Sequence, residues 1–70
     1  MNLYYITFGQ IHTHSHNGKT LDKGTVGVIS AESLEDAHNM AMKWFDGIFH
    51  QSLASKPDMS FYPKGLVPLN

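Results

Sequence analysis

Ser33–Gly47, SLEDAHNMAMKWFDG, is the stretch that sets the fold class. Ser33 is placed to cap a helix, because its hydroxyl can accept a bond from a backbone N–H of the first turn. Asp36, three residues on, gives the spacing of a capping box. Glu35 and Asp36 also suit the positive end of a helix dipole. Leu34, Ala37, His38, Ala41, Phe45 and then Ile48 recur at helical spacing, which predicts one apolar stripe with Met40 and Trp44 on its flanks. Gly47 is placed to end the helix in a left-handed cap.

On the N-terminal side, LYYITFG (residues 3–9) is β-branched and aromatic, as strands prefer. Tyr4, Ile6 and Phe8 alternate with Leu3, Tyr5 and Thr7, so both faces are largely apolar and both call for cover. The strand is expected to run to about residue 13. SHNGKTLDKG (15–24) is a turn region in which Asn17-Gly18 is a strong hairpin signal. A second strand is expected over GTVGVISA (24–31), with Gly27 marking a bulge or a close backbone approach.

Beyond the helix, IFHQSLA (48–54) alternates Ile48, His50 and Ser52 with Phe49, Gln51 and Leu53, as a third strand would. SKPD (55–58) is a turn. MSFYPKGLVPL (59–69) is apolar, but Pro63 and Pro68 limit it to an edge strand or an ordered tail. The order predicts an α+β fold: a small antiparallel sheet (ββαβ, with room for a fourth edge strand) and one helix on one face. No repeat, low-complexity tract or internal boundary interrupts residues 1–70, so they are read as a single domain.

Composition narrows the function classes. A chain of 70 residues buries only about 60% of the surface its unfolded form exposes. With no cysteine, disulfides and thiolate zinc sites are excluded, and a reducing compartment is consistent. Packing, a histidine-held metal or a partner subunit must supply the remaining stability. The chain contains five lysines and no arginine, at a formal net charge of −1. Nucleic-acid readers usually carry a basic patch rich in arginine, so this composition argues against that class. No apolar run reaches the roughly 18 residues that a spanning helix needs, and MNLYYITFG lacks the basic region and cleavage motif of a signal peptide. The chain is read as cytosolic.

The chemistry-bearing stretch is FGQIHTHSHNGKT (Phe8–Thr20). On a regular strand His12, His14 and His16 share a face with Gln10, spaced by roughly 6.6 Å. Three readings stay open: a solvated hairpin arm, a ligand-contacting arm, or a metal site built from His12, His14 and His16. His38 and His50 read as interior or boundary histidines. Tyr62-Pro63-Lys64-Gly65 holds a lysine on a short rigid turn, either as a capped edge strand or as a contact for an anionic ligand on which Tyr62 could stack. Met40, Met42 and Trp44 read as core packing, or alternatively as a partner patch. No Ser-His-Asp order, useful carboxylate pair or phosphate-binding glycine loop is present. No catalytic residue and no cofactor is therefore assigned. If a binding site exists, Gln10, His12, His14, Tyr62 and Lys64 are its candidates.

YYITFGQ (Tyr4–Gln10) followed by His12 and His14, then ISAESLEDAHNMA (Ile29–Ala41), then DMSFYPKG (Asp58–Gly65) resemble, in this order and spacing, a set of small proteins of tailed bacteriophages and prophages. The resemblance covers nearly the whole chain and implies origin more than activity. Short phage proteins of this size often bind and block a host protein, including bacterial immune effectors such as CRISPR nucleases, or sequester an immune nucleotide signal. The expectation is thus a non-enzymatic inhibitor of a host protein in the host cytoplasm. The alternatives are a binder of a small anionic nucleotide and a histidine-based metal protein or small metal-dependent enzyme. The second apolar sheet face further predicts a homodimer or higher homo-oligomer.

Overall fold

The computed structural model describes residues 1–9, 13–49 and 51–70. Its elements, in chain order, are β1 (Asn2–Thr7), β2 (His14–His16), β3 (Lys19–Leu21), β4 (Thr25–Ala31), α1 (Leu34–Phe45), β5 (Gln51–Leu53), a 3-10 turn (Met59–Phe61) and β6 (Gly65–Pro68). The main sheet has the order β5-β1-β4-β6, while β2 and β3 form a separate two-stranded hairpin. The α+β class expected from the sequence holds.

Four details differ from the expectation. The sheet is mixed: β1 runs antiparallel to β4 and β5, but β6 is parallel to β4. β5 and β6 lie on opposite edges, so the chain crosses the sheet's width between them and returns alongside β4 in the same sense. β1 ends at Thr7, short of residue 13, and Gly9 then takes a φ of 73°. The hairpin predicted at Asn17-Gly18 forms, but with its own strand β3, and the predicted second strand is β4. Asn17 and Gly18 have φ of 50° and 77°, the pair of left-handed residues that matches strand twist in a two-residue turn. The third strand shrinks to Gln51–Leu53.

The helix begins as its sequence dictates. Ser33 is extended (φ −148°, ψ 163°), and its hydroxyl accepts the Asp36 N–H at 3.1 Å. At the other end Asp46 and Gly47 are both left-handed, with φ of 53° and 76°, and the Gly47 N–H reaches the Met42 carbonyl at 3.0 Å. The cap therefore starts one residue earlier than the glycine alone implies. Ala37, Ala41 and Phe45 are buried. Leu34, expected in the stripe, is 38% exposed, and Ile48 is 45% exposed. Leu34 sits at the first helical position, where the stripe has not yet reached the sheet. Met42 is also exposed, while Met40 and Trp44 pack against the core from its margin.

Residues directly opposite in a sheet point to the same side. Tyr4 pairs with Ile29, and Ile6 with Gly27. Together with Phe8, Ala31, Leu21 and Leu69, these side chains meet Ala37, Ala41 and Phe45 in one core. Each buried Ile, Leu or Phe contributes about 1.5–3 kcal/mol. Gly27 is required for contact rather than for conformation. A Cβ there would lie 2.6 Å from Leu69 Cδ1 and 3.3 Å from Phe8 Cζ. The missing side chain is the space that the C-terminal leucine fills.

Candidate functional site

The hairpin β2–β3 carries the two histidines of the predicted cluster that fall within the described residues. Its turn fixes where they go. His14 and His16 are two apart on β2, so both rings project to one side, and that side is the end of the core. The His14 ring lies 5.0 Å from Phe45 and 5.9 Å from Phe8, centroid to centroid. His16 stacks on Trp44 at 4.7 Å and meets Phe45 at 5.7 Å. Phe8 and Phe45 themselves meet edge to face at 5.1 Å. Both imidazoles are half-buried.

Their polar atoms are engaged as well. His14 Nε2 lies 2.5 Å from the Ile48 carbonyl oxygen, and His16 Nε2 lies 3.1 Å from that of Leu69. A carbonyl can only accept, so each ring carries its proton on Nε2. A metal approaching either Nε2 would have to displace that proton and the hydrogen bond with it. Among the described residues no group of three His, Cys, Asp or Glu side chains is placed to hold a metal ion. His12, the third member of the proposed set, lies outside the described residues, as do Gln10 and His50.

The tip of the hairpin is a clasp on the C-terminus. Besides His16, Asn17 Nδ2 donates to the Leu69 carbonyl at 3.4 Å, and Lys19 Nζ donates to that of Pro68 at 3.1 Å. From the opposite side the Leu69 N–H donates to Val28 O at 2.8 Å. The backbone ahead of the last residue is thereby held from two directions. Asn70 adds a pair of bonds to the backbone of Ser30, both 2.9 Å.

Lys64 and Tyr62 occupy a different setting. The Lys64 ammonium pairs with the Asp22 carboxylate at 2.5 Å. The Lys64 N–H donates to Gly24 O at 2.8 Å, and its stem runs along Gly24, where a Cβ would come within 3.3 Å of Lys64 Cγ. Asp22 also accepts the Gly24 N–H at 2.8 Å. The Lys64 hydrogen bond, then the Gly24 N–H, hold the Asp22 carboxyl below its ordinary range. The charge predicted to meet an anionic ligand thus already meets one within the chain. Tyr62 is half-buried, and its carbonyl accepts the Gly65 N–H at 3.0 Å. Asp58 caps the preceding 3-10 turn through the Ser60 N–H, and that bond lowers its carboxyl. His38, expected in the interior or at its boundary, is exposed and bonds Ser52 Oγ through Nδ1 at 2.7 Å.

The second apolar face of the sheet, opposite the helix, was expected from the alternation of β1; what sequence reading missed is the row that four strands make of it. Leu53, Tyr5, Val28 and Pro68 are successive partners across all four strands. They form one row, flanked by the exposed Leu3 on one side and by the Thr7–Val26–Leu66 row on the other, in which Thr7 and Val26 are buried and Leu66 is exposed. Leu3 is 55% and Leu66 44% exposed, and Tyr5, Val28 and Leu53 are half-buried. No residue of β1, β4, β5 or β6 carries a charge. Phe61, in the 3-10 turn, adds an aromatic ring that is 73% exposed. Alternation in β1 had signalled this face, but the register that aligns four strands into one row is not a local property.

Compared with protein-family models, curated proteins and solved structures, the chain matches none. No helix among the described residues is long and apolar enough to cross a membrane.

Proposed function

We propose that this chain is a non-enzymatic binding protein that docks on another protein through the row Leu53, Tyr5, Val28 and Pro68 and its exposed neighbours Leu3 and Leu66. One observation carries the reading: on the second face of a four-stranded sheet whose strands carry no charged residue, Leu3, Leu66 and Pro68 are exposed and Tyr5, Val28 and Leu53 half-buried, beside the buried Thr7 and Val26. Exposed apolar patches of this kind mark association surfaces. A partner with an uncharged, flat apolar surface complements it.

The resemblance to small phage proteins supports a host bacterial protein as that partner, with an immune effector as the target class and the host cytoplasm as the place. The engagement of Lys64 by Asp22 and of the two described histidines by carbonyls favours a protein partner over a small anionic nucleotide. Among the described residues, Lys64, His14 and His16 already have partners within the chain.

The test is affinity capture from a bacterial host extract with the wild-type chain and with Leu3→Lys and Leu66→Lys. Both positions are exposed, so neither change should lower the melting temperature by more than a few degrees. A specific host protein retained by the wild type and lost from both variants supports the proposal. Equal retention by all three chains removes this face from the interaction.

A further inference from the structure

The two edges of the sheet are finished differently. β6 carries Pro68, which has no N–H to offer, and the carbonyls of Pro68 and Leu69 are taken by Lys19, Asn17 and His16 of the hairpin. Natural edge strands are blunted in such ways, or by charged side chains, because an open edge pairs with other strands. β5 has neither a proline nor a charge nor a clasp. Its residues Gln51, Ser52 and Leu53 pair with β1 on one side only. Alternate N–H and C=O groups therefore face outward.

Beside this edge lies a groove of about 440 Å3 between α1 and β5, lined by Leu34, Glu35, His38, Phe49, Gln51 and Ser52. Its volume falls in the range of ligand-sized clefts, roughly 300–1,000 Å3. The His38–Ser52 hydrogen bond ties the helix to the strand and fixes the groove's width. The His38 ring rests edge-on against Phe49 at 5.4 Å. Leu34 and Phe49 provide apolar wall. Among the described residues, Glu35 is the only charged group lining the groove, and it has no ionic partner there. Leu34, out of the core although its helix is otherwise regular, faces this groove.

We infer that the groove receives an extended peptide segment, which adds to β5 as a further strand, places an apolar side chain between Leu34 and Phe49, and brings a basic residue to Glu35. An edge strand beside a helix is a recurrent peptide-binding arrangement: backbone bonds supply affinity, and pockets for alternate side chains supply specificity. β5 offers three residues, enough for only about two backbone bonds. The groove contacts and the Glu35 charge must contribute the rest. This surface shares β5 with the sheet face opposite the helix, but it uses the outer backbone edge of β5 and the helix side of the sheet, while Leu53 serves the other face through its side chain.

The probe is an acetylated, amidated heptapeptide of alternating threonine and valine with a central lysine. It is titrated into the full-length chain while backbone amide NMR shifts are followed. Saturable shifts should fall on residues 34–38 and 51–53. A version N-methylated at alternate positions should bind about tenfold more weakly or worse, the loss of two backbone bonds. Replacing the central lysine by glutamate should weaken binding several-fold, and Glu35→Lys should reverse that preference. Any of three results overturns the proposal: no saturable shift at millimolar peptide, equal binding of the N-methylated peptide, or shifts centred on β6 or the open face. The same 34–38 and 51–53 shifts with inorganic phosphate or ATP would make this a small-anion site and overturn it too.

Discussion

His16 Nε2 and the carbonyl oxygen of Leu69 are 3.1 Å apart, although 53 residues separate them in the chain. This bond and the stack on Trp44 make His16 the link between the hairpin, the helix and the C-terminal strand. Replacing it by alanine removes one hydrogen bond, worth about 0.5–1.5 kcal/mol, and ring contacts with Trp44 and Phe45 of similar size together. His16→Ala should therefore destabilise by about 1–3 kcal/mol, read from urea unfolding. Hydrogen exchange at the Leu69 amide should accelerate more than at Ile29, because only the former lies under the clasp. Uniform acceleration would mean that the tail is held elsewhere.

The same geometry bears on metal binding. With Nε2 donating to Ile48 or Leu69, each ring offers zinc or nickel only its Nδ1, and no third ligand stands beside the two among the described residues. Stoichiometric metal should leave the melting temperature unchanged or lower it, and EDTA should not destabilise the chain as purified. A rise of several degrees on adding zinc would show that a histidine set holds metal in the native state.

Gly27 and Leu69 should behave as a coupled pair. The Cβ of Gly27→Ala would run into Leu69 Cδ1, and Leu69 is only 1% exposed, so it has nowhere to swing. Overpacking of this kind costs about 1–3 kcal/mol. Leu69→Ala alone leaves a cavity at about 2–5 kcal/mol. The double variant should be more stable than the sum of the two losses, because the new methyl occupies part of the vacated space. Strict additivity in a double-mutant cycle would separate the two sites.

The helix and the hairpin were legible because their signals are local. Ser33, Asp36 and Gly47 act within a turn of themselves, and Asn17-Gly18 needs only its own dihedral angles. The parallel entry of β6 was not legible, because it depends on which edge the chain reaches after Asp58. The histidines illustrate the same limit. Their alternation correctly placed His14 and His16 on one side of a strand, but what lies on that side, Phe45 and Trp44 from the helix and the carbonyls of Ile48 and Leu69, comes from distant parts of the chain. Lys64 was legible as a rigidly held charge. Its partner Asp22, 42 residues away, was not.

Asp22 should leave a trace in acid. Its carboxyl is held low by the Lys64 hydrogen bond first and the Gly24 N–H second. A folded value below the unfolded one stabilises the native state at pH above the ordinary carboxylate range, and the stabilisation is lost as pH falls through the folded value. In Lys64→Met the Asp22 carboxyl should move up toward its ordinary value in a carboxyl-carbon NMR titration. The loss of stability on acidification should then be smaller and be complete at a higher pH. An unchanged Asp22 titration in that variant would show that Lys64 is not the group that lowers it.

The open sheet face predicts the behaviour of the isolated chain. Tyr5 and Val28 sit side by side at the centre of a row that spans the sheet, with Leu3 and Leu66 exposed around them. Without a partner protein, a flat uncharged surface associates most simply with a second copy of itself about a two-fold axis, because one patch then covers the other. It would also bury apolar area that a chain of this length lacks. Light scattering should therefore give a mass approaching twice 7.8 kDa as concentration rises through the micromolar range. Leu3→Lys should return the monomer mass without lowering the unfolding midpoint in dilute solution, since Leu3 is 55% exposed and outside the core. If the host partner uses the same face, its binding and self-association compete, and adding it should dissolve the dimer. A chain that stays at the monomer mass at every concentration, or a dimer that survives Leu3→Lys unchanged, would show that this face is not where copies meet.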